Sequence, residues 1–155
     1  VQGSAPCWLT GRRRLAFALP AILLAAPLSA DPFADLSAAY RARDPKAAAA
    51  AYAPDATVTY RYDGVPEERH TGAAAIAESF RKQFEMVDRA IPLDLHFRFI
   101  SRTASAATGV YRFTLGPDAS HGRFAVTFAP DGRFATDLST SATEAEYQAL
   151  PPSVR

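Results

Sequence analysis

The sequence predicts an α+β domain, and three observations carry that expectation. Apolar residues recur at helical spacing after residue 30, runs of alternating apolar and polar residues fill the second half, and Asp131-Gly132 marks a hairpin between the last two runs. Helices followed by strands put the helices over one face of an antiparallel sheet.

Taken in order, Phe33, Leu36 and Tyr40 share one helical face from about Pro32 to Arg43. Asp44-Pro45 closes that helix and opens the next, because Asp caps a helix N-terminus and Pro suits its first position. The alanine run Ala47 to Ala51 propagates a short helix that stops near Ala53-Pro54. From Thr57 to Tyr62, Val58, Tyr60 and Tyr62 alternate with polar residues, the pattern of a half-buried strand whose turn is marked by Asp63-Gly64 and Pro66. Ile76, Phe80, Phe84 and Val87 form the face of a third helix. Three further alternating runs hold Leu93 to Phe99, Tyr111 to Leu115 and Phe124 to Phe128, and Phe134 to Thr140 reads as the last strand.

The chain has 155 residues, which allows one domain, and 48% apolar with 21% charged residues is ordinary globular usage. Its first thirty residues read as an export signal: Arg12-Arg13-Arg14, an apolar stretch from Leu15 to Leu28, and Ser29-Ala30 before Asp31. Cleavage after Ala30 is expected, by the twin-arginine or the general route. The apolar stretch is broken by Pro20 and Pro27 and falls short of the roughly 20 residues that span a bilayer, so no stable span is expected after processing. Removing residues 1–30 takes away three arginines and no acid. The remaining 14 basic and 16 acidic side chains make a mildly acidic domain with no basic run, which argues against nucleic-acid binding. Cys7 would leave with the leader, and with it disulfides, thiol nucleophiles and thiolate metal sites.

The run Tyr52-Ala53-Pro54-Asp55-Ala56-Thr57-Val58, preceded by Ala38 to Asp44 and followed by His70-Thr71-Gly72 before Ala75-Ile76, resembles the nuclear transport factor 2-like superfamily. Within it, the similarity is to the ketosteroid isomerase-like and polyketide cyclase-like domains. The resemblance covers nearly all of residues 31–141 and implies a domain of residues 31–145 followed by a tail, 146–155. It implies a cone-shaped, cystatin-like arrangement in which three N-terminal helices cover the concave face of a curved antiparallel sheet. It also implies an isomerase base at Tyr60, an oxyanion-hole tyrosine at Leu36 and a protonated acid at Phe124, and none of these side chains can do that work. Isomerisation of ketosteroids by that mechanism is not expected. Asp55 resembles a structural aspartate and is read as a turn residue.

Leu36, Tyr40, Tyr60, Tyr62, Phe80, Phe97, Tyr111, Phe113, Phe124, Val126 and Phe128 are expected on the concave face, either lining a ligand cavity or filling the core. Tyr60, Tyr111 and Asp137 are the candidate acid–base groups. Alternation with Phe134, Thr136 and Leu138 sends Asp137 outward to solvent, the favoured reading. The family resemblance points it toward the cavity, and a bulge would reconcile the two. His70, His96 and His121 are too scattered for a metal site, and no phosphate loop, dinucleotide fingerprint or serine elbow is present, so no metal or cofactor is expected. His96, Arg98 and Arg112 share the outer sheet face, where the resemblance implies a homodimer contact. Three functions stay open: an exported domain holding a small, largely apolar ligand, a lyase, cyclase or isomerase acting on a small carbonyl compound, and a homodimeric interaction domain with a filled core.

Overall fold

The computed structural model describes residues 31–152, so the leader read from residues 1–30, with Cys7, lies outside them. Helix α1 (Pro32–Ala42) starts where the Asp31 carboxylate accepts from the Phe33 N–H. It stops at Arg43, which takes left-handed backbone angles (φ 52°). That conformation costs a non-glycine residue about 1 kcal/mol or more. The Arg43 guanidinium offsets it by donating to the carbonyls of Phe84, Val87, Asp88 and Ile91, which ties the end of α1 to the far end of α3. As the sequence predicts, Asp44 caps α2 (Pro45–Ala50) by accepting from the Lys46 and Ala47 N–H groups. Helix α3 (Ala73–Glu85) buries Ile76, Phe80 and Phe84 at helical spacing.

Six strands follow the order β2-β1-β6-β5-β4-β3: β1 (Tyr52–Arg61), β2 (Glu68–Thr71), β3 (Leu93–Arg102), β4 (Ala106–Leu115), β5 (Asp118–Phe128) and β6 (Phe134–Ser141). The sheet is curved and unclosed. It is antiparallel except at one place, since β1 lies parallel to β6. The long route from β1 through α3 and the β3–β6 meander returns β6 to the sheet in the direction of β1.

Other elements differ from the sequence expectation in extent. The strand expected at Thr57 begins at Tyr52, because α2 ends at Ala50 and a register shift between Tyr52 and Thr57 absorbs the Pro54-Asp55 pair. β2 stands where only a turn was expected; at four residues it is too short for alternation to reveal. A further helix, α4 (Glu144–Gln148), is built on a Thr143 capping box and runs into the expected tail. It packs over the outer face of β4 and β5, with Arg98 donating to the carbonyls of Tyr147 and Leu150 and stacking 4.2 Å over the Tyr147 ring. Part of the outer face expected to pair two copies is therefore covered by the chain itself. No helix among the described residues is long and apolar enough to cross a membrane.

Candidate functional site

Between the inner face of the sheet and helices α1 and α3 lies a cavity of about 540 Å3. That is within the range of small-molecule sites. Leu36, Tyr40, Tyr60, Tyr62, Phe80, Phe97, Tyr111, Phe113, Phe124 and Val126 all line it. Phe128, expected beside them, instead packs half-buried against Phe33 and Phe134. Val65 and Met86 stand at the cavity wall with 56% and 79% of their surface exposed, which gives the mouth an apolar lip.

Two glycines shape the inner wall. A Cβ on Gly109 would run into the Arg98 carbonyl and come within 2.7 Å of the Phe124 ring, and a Cβ on Gly122 would meet the end of the Tyr111 ring. Each glycine is the cross-strand partner of a neighbour on the same face, Gly109 of Phe124 and Gly122 of Tyr111. Their missing side chains let those rings lie across the adjacent strand. Tyr111 so placed brings its Oη to 2.7 Å from that of Tyr62. Gly122→Ala should therefore dislodge Tyr111 into the cavity and break this pair. We expect a stability loss below about 2 kcal/mol, since a mobile ring end and not backbone is displaced, but a changed Tyr62–Tyr111 geometry. An unaltered pair in a crystal structure of the variant would contradict this.

Asp137 points inward, not to solvent. Thr127 pairs with Thr136 while the adjacent Phe128 pairs with Phe134, which leaves Ala135 as the extra residue of a bulge. Phe134 and Asp137 thereby share the inner face despite their odd spacing, and both line the cavity. The outward reading fails for this reason: strict alternation cannot count through the bulge. Asp137 sits between Val58 on β1 and Val126 on β5. Tyr52 donates to its Oδ2 at 2.8 Å, and the Ser139 hydroxyl lies 3.5 Å from Oδ1. Burial among these apolar neighbours raises the carboxyl from its ordinary value to about 6, against the opposing pull of the Tyr52 and Ser139 hydrogen bonds.

Five tyrosines surround this acid. Burial pushes the phenols of Tyr40, Tyr52, Tyr60, Tyr62 and Tyr111 up, and the charge of Asp137 adds to the rise at each. All five stay protonated near neutrality. Tyr40 gives its hydrogen to Gln83 Oε1 at 3.1 Å. In the Tyr62–Tyr111 pair one hydroxyl hydrogen is used between the partners, and the Tyr62 hydroxyl also has Ser139 as a hydrogen-bond partner. Tyr52, Gln83 and Ser139 were not singled out from the sequence; Tyr52 falls in the run that marks the first strand, but a helix end was expected there.

The acid's burial has a consequence for stability. Asp137 takes up its proton near pH 6 in the folded protein and near 3.9 in the unfolded chain, so between these values the folded state binds more protons. Stability then falls as pH rises through this window, by up to about 3 kcal/mol from this group alone. Urea unfolding of the wild type and Asp137→Asn should show the variant gaining on the wild type between pH 4.5 and 7.5. A difference that stays constant across that range would show that the carboxyl titrates normally.

The three histidines stay apart. His70 Nε2 is 3.4 Å from Glu68, His96 Nε2 3.0 Å from Asp94, and His121 Nε2 2.8 Å from Glu144. No group of three metal-ligating side chains exists among the described residues. Asp55 is exposed and outside the cavity.

A curved sheet covered by helices bounds a tyrosine-rich cavity with one inward-facing acid. No family model and no curated protein matches the chain. Solved structures do. A protein of unknown function with a cystatin-like fold from Methylobium petroleophilum PM1 superposes with a TM-score of 0.58 at 16% identity, over 72% of this chain and 74% of that one. A nuclear transport factor 2-like protein of unknown function from Shewanella oneidensis MR-1 gives 0.55 at 15% identity, over 71% and 93%. A SnoaL-like protein of unknown function from Burkholderia thailandensis E264 gives 0.52 at 21% identity, over 71% and 91%. The chain has the nuclear transport factor 2-like, cystatin-like fold.

Proposed function

We propose that the cone binds a small, largely apolar carbonyl compound and moves a proton on it, with Asp137 as the base. The observation that carries this reading is the Asp137 carboxyl, inside an apolar cavity and hydrogen-bonded by Tyr52 at 2.8 Å. A base whose proton affinity is raised toward neutrality is better matched to abstracting a proton from carbon than an ordinary carboxylate. Loss of a proton beside a carbonyl places negative charge on the carbonyl oxygen. A hydroxyl of the Tyr62–Tyr111 pair, turned from its present partner to the ligand, is the donor suited to stabilise it. Tyr52 acts as a positioning residue, since its hydroxyl fixes the carboxylate and does not itself accept a proton.

This assignment uses none of the isomerase positions, which hold Tyr60, Leu36 and Phe124. An open cavity of about 540 Å3 also weighs against a filled core. The test is proton exchange: a neutral aryl ketone such as 4-methylacetophenone, incubated with the protein in D2O, should gain deuterium beside its carbonyl faster than in buffer, as read by proton NMR. Bound ketone recovered with no exchange above background would favour a cone that holds its ligand without transforming it.

A further inference from the structure

The charge around the cavity is one-sided. Among the described residues its wall holds two carboxylates, Asp137 within and Glu68, and no Lys or Arg. His121, the histidine on the wall, is turned to Glu144. The guanidinium groups nearest the Glu68 side, Arg61 and Arg69, are engaged on Glu67, and Arg43 is held on the carbonyls at the end of α3. A ligand bearing a carboxylate or phosphate would thus enter a largely apolar space with acids and no compensating cation, at a desolvation cost that the neutral tyrosine donors offset only in part. A cationic ligand meets the opposite situation.

Glu68 is well placed to receive one. Its side chain is 63% exposed, it lines the cavity, and its neighbour of opposite sign, His70, carries charge only when protonated. Directly across the β1–β2 pairing stands Tyr60, whose ring stacks with that of Tyr62 at 6.1 Å and 18°. Aromatic faces are negative and attract organic cations. Glu68, Tyr60 and Ser139 are consecutive partners across three strands, and Asp137 lies two residues before Ser139. Strand spacing and rise put the Cα atoms of Glu68 and Asp137 on the order of 12 Å apart on one face. Both residues line the same cavity, so a ligand built on one substituted aromatic ring is of a size to reach from the Glu68 side toward Asp137.

We propose that the ligand of this cavity is a lipophilic amine, its ammonium held by Glu68 against the Tyr60 ring and its carbonyl end at Asp137. The carbonyl half of this statement rests on the reading given above; the charge preference does not. Three probes of one shape separate the possibilities by calorimetry at pH 7.5: 4-(aminomethyl)acetophenone, neutral 4-methylacetophenone and anionic 4-acetylbenzoate. The amine should bind about three- to tenfold tighter than the neutral ketone, and the anion weaker than either. In Glu68→Gln the ratio of amine to neutral affinity should fall to near one. A wild-type ratio at or below one, an amine that does not bind, or a ratio unchanged by Glu68→Gln each overturns the proposal. Because the readout is binding, the charge preference can hold while deuterium exchange fails, and that combination would sink only the proton-transfer function.

Discussion

Deuterium exchange on a bound ketone is expected to drop by about 10²- to 10⁴-fold when Asp137 becomes Asn, the usual worth of a positioned general base. Asn has nearly the same shape and still offers an oxygen to the Tyr52 hydroxyl, so the cavity and the bound ketone should be retained. The pH profile provides a second signature. Only the ionised carboxylate can take the proton, so wild-type exchange should rise through a midpoint near pH 6 and level off above it. Tyr52→Phe removes the donor at 2.8 Å from Oδ2 and should move that midpoint upward, because the hydrogen bond favours the charged form. A merely structural role for Tyr52 would change the amount of folded protein and not the midpoint. Exchange undiminished in Asp137→Asn would remove this carboxyl from the chemistry altogether.

The same residue shows where sequence reasoning reached its limit. Helical spacing at Phe33, Leu36, Tyr40 and at Ile76, Phe80, Phe84 was legible because each contact with the core repeats every turn. The inner faces of β3, β4 and β5 were legible because alternation runs there without interruption as far as the cavity. β6 was not, since one unpaired residue, Ala135, reverses the face of everything after it. Periodicity cannot locate such a residue without knowing its partner strand. The Tyr62–Tyr111 pair was hidden for a related reason: it depends on Gly122, a residue of another strand that makes room by lacking a side chain. Tyr52 was lost to the helix expected around it, where an alanine-rich propensity outweighed the turn chemistry of Pro54-Asp55.

The largest loss of stability is expected at Phe33. It stands on the first turn of α1 with 3% of its surface exposed, and the rings of Phe97, Phe99, Phe124 and Phe134 surround it at centroid distances of 4.8 to 5.3 Å, with Phe128 at 6.1 Å. Those rings come from β3, β5 and β6, so a single side chain fastens α1 to three strands of the sheet. Phe33→Ala removes that contact and leaves a void that rings fixed on three strands cannot close, for which about 3 to 5 kcal/mol is the usual cost. Phe113 offers the contrast. It is only half-buried because its ring borders the cavity, and its aromatic contact is with Tyr40 at 5.8 Å. A side chain already facing open space loses fewer contacts on truncation, so Phe113→Ala should cost about 2 kcal/mol or less. Urea unfolding followed by circular dichroism compares the two directly. Equal losses would mean that the cavity wall is as tightly packed as the core beneath it, and the space assigned here to a ligand would have to be filled by the protein itself.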